Sequence, residues 1–226
     1  MGKLFIVSTP IGNLEDITFR AVKVLKEADL IACEDTRHSR ILLDRYQIKT
    51  PTVSYHEHSR LQKIDYLIKE LKSGKNIALI TDAGTPGISD PGGYLIQKAL
   101  KDKIEIVSIP GPSAFVTALS ISGFSMNEFL YLGFLPKKKG RQTLLGELKN
   151  EKRTIVFYES PYRIIKTLEE LRLILGNREV LVTRELTKKF EEVYRGKMSE
   201  IISKIKPKGE FVIVINKHEK TTNKGY

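Results

Sequence analysis

Short apolar runs, rich in residues that favour strands, alternate with helical stripes through the first half of the chain. The runs are Leu4–Ser8, Leu30–Cys33, Thr52–Tyr55, Asn76–Thr81 and Ile104–Ile109. The clearest helical stripe consists of Leu61, Ile64, Leu67, Ile68 and Leu71. Strands that alternate with helices form βαβ units. The pattern therefore predicts an α/β fold whose N-terminal sheet is mainly parallel, with helices on both faces.

The pattern changes from about Gly123, where strands outnumber helices. The strands predicted beyond this point are Phe129–Phe134, Thr154–Tyr158, Val180–Thr183, Phe190–Arg195 and Phe211–Asn216, with helices around Ile164–Leu171 and near Met198–Ile205. Fewer helices per strand indicate a mixed sheet. We therefore predict two α/β domains, residues 1–122 and 123–217, followed by a polar tail, 218–226.

Composition limits the classes of protein. Of 226 residues 41% are hydrophobic, enough for a buried core. No apolar stretch approaches the roughly 18 residues that cross a bilayer, so we expect no membrane partner. The single cysteine, Cys33, excludes an internal disulfide and fits a reducing cytoplasm. The net charge of +11 favours an anionic partner, either a nucleic acid or a polycarboxylate.

Three irregular segments each follow a predicted strand: Thr9–Asn13, Thr81–Gly93 and Pro110–Ala114. In a parallel sheet such loops emerge together at the carboxyl edge, where ligands bind. Thr81–Gly93 contains four glycines and two prolines, which bring a rigid backbone close to a ligand. A long surface turn is the alternative. Asp90 and Pro91 predict an N-cap and first-turn proline for a helix over Gly92–Leu100.

Phosphate-binding motifs are absent. No Gly-x-Gly-x-x-Gly follows the first strand, and no Gly-Lys-Ser or Gly-Lys-Thr phosphate loop occurs. Neither a dinucleotide-binding domain nor a P-loop nucleotidase is expected.

The segment Cys33–Arg40 also follows a strand and joins carboxylates to cations. Glu34 and Asp35 stand where a helix begins, which either stabilises the helix or serves a substrate. Arg37 and Arg40 lie three apart, so that together they could bind a phosphate or carboxylate.

Three other segments have a plain structural explanation beside a functional one. His56–His58 suggests metal ligands, but a solvated loop fits better and we predict no metal. The basic run Lys137–Arg141 is either a solvated loop or an RNA backbone contact. Arg184–Glu192 carries dense charge typical of an exposed hairpin.

Six ordered motifs closely resemble those of the ribosomal RNA small subunit methyltransferase I family, a branch of the tetrapyrrole-methylase superfamily. The motifs are Ser8–Asp16, Cys33–Arg37, Thr81–Gly93, Ile109–Ala114, Tyr158–Pro161 and Arg184–Lys188. The resemblance extends from Leu4 to about Lys217. Pro10–Leu14 replaces the Gly-x-Gly-x-Gly-Asp start of many corrinoid methylases, which favours the RNA branch. Longer members continue into a C-terminal helical region, so RNA binding is expected to differ here.

The resemblance implies transfer of a methyl group from S-adenosylmethionine to the ribose 2′-hydroxyl of a cytidine in the decoding region of 16S rRNA. It also implies a cytoplasmic homodimer with the cofactor in a cleft between the domains, and the small ribosomal subunit rather than DNA as partner. Two alternatives stay open: a tetrapyrrole or corrinoid methyltransferase, and a non-catalytic rRNA-binding assembly factor.

Site residues are carried over from the family by position. The cofactor shell comprises Pro10, Thr85, Ile88, Ser113, Ala114, Tyr158, Leu186 and Gly209. Gly84 and Pro86 would shape the loop, and Asp82 would brace it or bind the methionine amine. Tyr158 and Leu186 would enclose the adenine.

The ribose hydroxyl is a poor nucleophile, so a nearby base would help. Glu34, Asp35 and Asp16 are candidates, and Lys188 could serve if burial lowered its pKa. We favour the Glu34–Asp35 pair, with Arg37 binding a phosphate. A purely positional mechanism remains an alternative.

Overall fold

A computed structural model describes residues 1–55 and 61–217. Within these ranges the chain forms ten β-strands and eight α-helices. They belong to two compact units, Met1–Ser113 and Ala114–Tyr226. The predicted solvated loop at His56–His58 and the polar tail 218–226 lie outside the described residues.

The first unit alternates strands and helices. Its elements are β1 (Lys3–Val7), α1 (Phe19–Glu27), β2 (Leu30–Cys33), α2 (Thr36–Arg45), β3 (Thr52–Ser54), α3 (Leu61–Lys72), β4 (Ile77–Leu79), α4 (Gly93–Lys101) and β5 (Glu105–Ile109). The strands pair in parallel in the order β3-β2-β4-β1-β5. The predicted parallel sheet is confirmed.

Alternate residues of β1 enter separate cores on the two faces of this sheet. Leu4 and Ile6 pack in one core with α3 and α4, for instance with Leu67. Val7 packs in the other core with α1 and α2, for instance with Leu25. Burial on both faces explains why these strands read as continuous apolar runs.

The start of α4 corrects one prediction. Gly92, not Asp90, is the N-cap residue, and the cap makes no side-chain hydrogen bond. The Gly87 N–H donates to the Pro91 carbonyl at 3.2 Å, which keeps Pro91 in the loop. Gly92 then has φ 142°, a conformation in which L side chains are strained. The helix therefore begins at Gly93.

The second unit contains a mixed sheet. Its elements are α5 (Ala114–Ser120), β6 (Phe129–Phe134), α6 (Arg141–Leu148), β7 (Thr154–Glu159), α7 (Ile164–Leu175), β8 (Glu179–Arg184), β9 (Glu192–Lys197), α8 (Met198–Ile202) and β10 (Phe211–Ile215). The order is β6-β7-β10-β8-β9, and among the described strands of this sheet only the β6–β7 pair is parallel. Helices α6, α7 and α8 cover one face.

Helix α5 contacts β10 and β7 and thus belongs with the second sheet. The units consequently divide at Ser113, earlier than the boundary at Gly123 that the change of pattern indicates. Periodicity alone does not reveal which sheet a short connecting helix contacts.

Strand β9 begins at Glu192 rather than at Phe190. Successive tight turns occupy the preceding residues, because the Lys188 N–H donates to the Glu185 carbonyl at 3.0 Å and the Glu191 N–H donates to the Lys188 carbonyl at 3.1 Å. Among the described residues no helix combines the length and the apolar character that crossing a membrane requires.

Candidate functional site

Two loops at the carboxyl edge of the first sheet pair through their backbones. The Thr9 N–H donates to the Gly84 carbonyl at 2.9 Å, and the Gly84 N–H donates to the Thr9 carbonyl at 3.0 Å. The Thr9 hydroxyl donates to the Thr81 carbonyl at 3.0 Å. Gly84 has φ 82°, which suits glycine. The loop after β4 is thereby fixed to the loop after β1.

Thr85 connects these loops to the third. Its hydroxyl lies 2.8 Å from that of Ser8 and 3.4 Å from the Pro112 carbonyl oxygen. A Cβ on Gly111 would lie only 3.0 Å from the Ser8 Cβ. The three loops therefore meet at one sheet edge, as their positions after the strands predict.

The Thr81–Gly93 loop presents apolar surface on a strained backbone. Ile88 is 42% exposed although it is a large aliphatic residue. Ser89 next to it has φ 60°, in the left-handed region that side chains rarely adopt. Strain of this kind is concentrated at ligand-binding positions. An exposed apolar side chain on such a loop indicates a ligand contact.

The segment after β2 lies beside the same loop. The Asp35 N–H donates to an Asp82 carboxylate oxygen at 3.2 Å. Asp82 therefore links the Thr81–Gly93 loop to this segment. The Asp35 carboxylate caps α2 by accepting from the Arg37 N–H at 2.8 Å.

Asp35 also forms a bidentate pair with the Arg37 guanidinium, at 3.2 Å from Nε and 2.8 Å from Nη2. The hydrogen bond from this guanidinium holds the pKa of Asp35 well below its ordinary 3.8. A carboxylate whose charged form is so favoured is a weak base. The geometry thus argues against Asp35 as the proton acceptor.

Arg37 and Arg40, which we predict together to bind a phosphate or carboxylate, each pair with a separate carboxylate. Arg37 pairs with Asp35, while Arg40 Nε lies 2.8 Å from Asp44, one turn further along α2. Each guanidinium is thus oriented by its own carboxylate. The pair with Asp35 uses two of the five N–H donors of Arg37, which leaves it capacity to bind a phosphate.

Glu34 is half-buried at the end of β2, and its backbone carbonyl accepts from the Ser54 hydroxyl at 3.5 Å. Cys33 before it is fully buried, and burial raises the pKa of its thiol. Cys33 is therefore a core residue, and Glu34 is the first residue beyond the strand.

In the second unit three predicted cofactor residues lie at one edge of the sheet. Tyr158 stands near the end of β7, Leu186 follows β8, and Gly209 precedes β10. Because β10 is antiparallel to both neighbours, Phe211 pairs with Glu159 and with Arg184. The ends of β7 and β8 and the start of β10 therefore coincide.

Backbone strain flanks Leu186. Glu185 has φ 53° and Thr187 has φ 64°, both unusual for residues with a side chain. A carboxylate oxygen of Glu185 accepts from the Glu210 N–H at 2.8 Å. A Cβ on Gly209 would lie 2.6 Å from that oxygen, so the Glu185 side chain would have to move to admit any other residue. This turn holds Leu186 in a defined, buried position.

The lowered pKa that Lys188 would need to act as a base is not found. Burial by itself lowers its pKa, but hydrogen bonds and charges from Glu210 and Glu185 outweigh it and raise the pKa above its ordinary 10.5. The ammonium lies 2.9 Å from Glu210 and 3.3 Å from Glu185. Lys188 is therefore a cation that stabilises the Glu185 turn.

Aromatic neighbours of Tyr158 were missed in the sequence. The rings of Phe134 and Tyr131 lie 5.3 Å and 5.8 Å from that of Tyr158, centroid to centroid. Alternating aromatic residues in the β6 sequence were the available signal. In the basic run, Arg141 is only 8% exposed, so it is not part of a surface patch as the run suggests.

The structure places the predicted site residues in two groups. In the first unit the loops and the β2 end carry Pro10, Glu34, Asp35, Arg37, Asp82, Gly84, Thr85, Pro86, Ile88 and Ser113. In the second unit the sheet edge carries Tyr158, Leu186, Lys188 and Gly209, and Ala114 opens α5. The described ranges contain no group of three or more His, Cys, Asp or Glu side chains that could hold a metal ion. Asp16 lies in a short 3₁₀ turn and is exposed.

Residues 3–202 match the family model of tetrapyrrole (corrin/porphyrin) methylases. The chain is 49% identical over 222 residues to ribosomal RNA small subunit methyltransferase I of Thermotoga maritima, covering 97% of this chain and 100% of that protein. It is 48% identical over 219 residues to the protein of the same name in Bacillus subtilis, covering 95% of this chain and 75% of that one.

Solved structures share the fold at low identity. Diphthine synthase superposes with a TM-score of 0.75 at 13% identity, covering 96% of this chain and 92% of that one. Uroporphyrin-III C-methyltransferase of Thermus thermophilus, complexed with S-adenosyl homocysteine, superposes with a TM-score of 0.69 at 18% identity, covering 95% and 97%. The two α/β units therefore have the fold of known methyltransferases.

Proposed function

Because the chain belongs to the ribosomal RNA small subunit methyltransferase I family of tetrapyrrole methylases, we propose that it methylates the ribose 2′-hydroxyl of a cytidine in the decoding region of 16S rRNA. It is an rRNA methyltransferase that uses S-adenosylmethionine. The observation that carries the proposal is the 49% identity over 222 residues to ribosomal RNA small subunit methyltransferase I of Thermotoga maritima. The junction of three loops through Thr9, Gly84 and Thr85 supports cofactor binding at the carboxyl edge of the first sheet.

The residues present fit S-adenosylmethionine better than a nucleotide joined by pyrophosphate. The loops offer backbone groups and the Thr85 and Ser8 hydroxyls, which suit the carboxylate and amine of methionine. They lack the glycine-rich motifs that bind phosphates. Tyr158 and Leu186 offer an aromatic and an aliphatic surface for adenine. When bound, this cofactor would supply an electrophilic methyl group.

The chain's own contribution to the chemistry is mainly orientation. Methyl transfer needs the acceptor oxygen in line with the breaking bond, and alignment of this kind accounts for much of an enzyme's acceleration. Loops joined by short hydrogen bonds provide a rigid frame for it.

A base would assist the ribose hydroxyl, and we propose Glu34 for that role. Asp35 is neutralised by Arg37, and Lys188 stays protonated between two glutamates. Arg37 keeps donors with which to bind a phosphate of the substrate. Glu34→Gln should lower kcat while the Kd for S-adenosylmethionine stays the same. Unchanged kcat would leave the positional mechanism as the better account.

The acceptor class is tested by labelled methyl transfer. Purified protein with labelled S-adenosylmethionine should transfer label to 30S subunits from a strain that lacks the modification, and none to uroporphyrinogen III. Transfer to the tetrapyrrole would support the corrinoid alternative. No transfer to either, with no thermal stabilisation by S-adenosylmethionine, would support a non-catalytic assembly factor.

We further propose that the protein acts as a homodimer in the cytoplasm. An rRNA substrate supports the location, and the family resemblance supports the dimer. Sedimentation velocity of the full chain tests the dimer.

A further inference from the structure

Strand β6 is an edge strand of the second sheet and contains a bulge. Tyr131 pairs with Val156, whereas Phe134 pairs with Tyr158, so β6 has one residue more than β7 between these pairs. Gly133, with φ 59°, lies at the shift. Without the bulge, Phe134 would point to the same face as Leu132, which packs on the core.

The bulge therefore turns Phe134 to the face of Tyr131 and Tyr158. Its side chain stays 57% exposed there, although a large aromatic residue usually gains free energy from burial. The chain then continues directly into three consecutive exposed lysines, Lys137–Lys139.

A buried polar network lies beneath these lysines. Arg141 donates through Nε and Nη2 to Glu170, at 3.0 Å and 2.6 Å, and through Nη2 to the Thr167 hydroxyl at 2.9 Å. That hydroxyl donates to Glu159 at 2.7 Å. The other Glu159 oxygen lies 2.6 Å from Arg163 Nη2.

Arginines of this network donate hydrogen bonds to the backbone of the loop that contains Lys137–Lys139. Arg141 Nη1 donates to the Pro136 carbonyl at 3.1 Å, and Arg163 Nη1 donates to the Leu135 carbonyl at 3.0 Å. The Arg141 N–H donates to the Lys138 carbonyl at 3.2 Å. The two guanidinium groups thus hold the Leu135 and Pro136 carbonyls, and a backbone hydrogen bond closes the turn at Lys138.

The burial of the charged groups in this network is poorly explained by a gain in the stability of the fold. Desolvation offsets the attraction within a buried ion pair, and apolar residues of similar size often stabilise as well. The Glu159 side chain is nevertheless fully buried. What the network does specifically is to fix the loop that presents the lysines.

We propose that Phe134 and Lys137–Lys139 form one RNA-binding surface, in which the lysines contact phosphates and Phe134 stacks on an unpaired base. We refer to it as the β6 loop surface. Aromatic side chains stack on bases of single-stranded RNA, and lysines beside them follow the backbone. The inference rests on the proposed rRNA substrate and assigns residues that recognise it. Arg141 and Arg163 are positioning residues for this surface.

The lysines are tested by the salt dependence of RNA binding. The probe is a single-stranded RNA of decoding-region sequence, measured by fluorescence anisotropy between 50 and 200 mM salt without cofactor. For the variant K137Q/K138Q/K139Q, the plot of the log of the RNA association constant against the log of the salt concentration should become shallower. Its slope should be less negative by about 2, since each single-strand phosphate contact contributes about 0.7.

The matched control is K149Q/K152Q/K166Q, which removes the same charge from exposed positions of the same unit. Its slope should stay near that of the wild type. Equal slopes for the two triple variants, or no RNA binding by the wild type, would overturn the proposal. Because binding is measured without methyl transfer, failure of the proposed activity is a separate result.

Phe134 is tested by Phe134→Ala beside Phe129→Ala, an exposed aromatic residue at the other end of β6. Phe134→Ala should weaken RNA binding about tenfold with an unchanged salt slope, within the range for loss of one stacked base. Phe129→Ala should have little effect. If Phe134→Ala instead weakens S-adenosylmethionine binding alone, or changes only the oligomeric state in sedimentation, the surface has another role and the proposal fails.

Discussion

At the scale of single residues, Gly209 and Gly176 both have a positive φ angle but have different surroundings. Their φ values are 91° and 80°. A Cβ on Gly209 would lie 2.6 Å from Glu185, whereas a Cβ on Gly176 meets nothing within 4 Å. Both alanine variants should lose about 1–3 kcal/mol of stability, because a side chain is strained at these positive φ values.

Only Gly209→Ala should also displace the turn that holds Leu186, so it should weaken S-adenosylmethionine binding. Isothermal titration calorimetry of both variants separates the two effects. Equal cofactor affinities would show that the Glu185 turn does not bear on the cofactor.

Thr85 offers a second test, because its hydroxyl joins the loops after β1 and β5. Thr85→Val keeps the size of the side chain but leaves the Ser8 hydroxyl and the Pro112 carbonyl without this partner. Loss of such a bond costs about 1–3 kcal/mol, so the Kd for S-adenosylmethionine should rise about tenfold.

The control is Thr50→Val, since the Thr50 hydroxyl donates to the Leu25 carbonyl at 2.6 Å, within the fold rather than at the loops. It should lower stability with the cofactor Kd unchanged. A normal Kd for Thr85→Val would remove Thr85 from the cofactor site.

Lys188 is expected to act through its charge. Because Glu210 and Glu185 raise its pKa above 10.5, the side chain stays protonated below that pH, and its stabilising charge is lost only as the pH rises further. Lys188→Arg should therefore retain most activity, and Lys188→Met should lose stability. A loss of kcat of a hundredfold or more in Lys188→Arg, with normal stability, would restore Lys188 as a candidate base.

At the scale of elements, two carboxylates make the second unit sensitive to acid. The hydrogen bond from the Arg153 side chain holds the pKa of Glu151 at about 2, and the hydrogen bonds from Lys206 and Tyr194 hold that of Glu192 at about 2, both below the ordinary 4.5. A depressed carboxylate contributes stability that is complete above the unfolded pKa and lost as the pH falls through the folded pKa.

Urea unfolding between pH 6 and pH 2 should therefore show stability falling below about pH 4.5. Glu151→Gln and Glu192→Gln should each flatten that fall. Arg153→Met, which removes the partner of Glu151, should flatten it to the same extent as Glu151→Gln. If the variants lose stability with falling pH as steeply as the wild type, the interactions of Glu151 and Glu192 contribute little to the free energy of unfolding.

Elements whose pattern is purely local were predicted well from the sequence. The bounds of β2 and β6 are confirmed. Asp29 and Glu34 bound the apolar run of β2, and β6 begins after Glu128 and ends shortly before Pro136. The start of α4 was wrong because a backbone bond between Gly87 and Pro91 decides it. The bulge in β6 was not foreseeable, since it depends on register with a strand further along the chain.

For the candidate site, sequence order predicted that three loops share one sheet edge. It did not predict that Asp35 is neutralised or that Arg141 is buried, because ion pairs depend on side-chain geometry in the folded chain. Residue type alone therefore suggested Asp35 as a base and Arg141 as a surface cation, and the structure supports neither role.

At the scale of the whole molecule, each unit contributes a sheet edge with residues of the predicted cofactor shell. The family and the methyl-transfer chemistry follow from ordered motifs and from identity to relatives over nearly the whole chain. The acceptor atom does not follow from a fold that other methyltransferases share. The identity of the acceptor atom, the ribose 2′-hydroxyl oxygen of a cytidine, is therefore the central claim to be tested.

Nucleoside analysis of the methylated product tests that claim most directly. 30S subunits from a strain lacking the modification are incubated with the protein and S-adenosylmethionine, and their 16S rRNA is digested and analysed by mass spectrometry. The account predicts one new 2′-O-methylcytidine, located in the decoding region. A methyl group on a nucleobase, on another nucleoside or absent from 16S rRNA would contradict it.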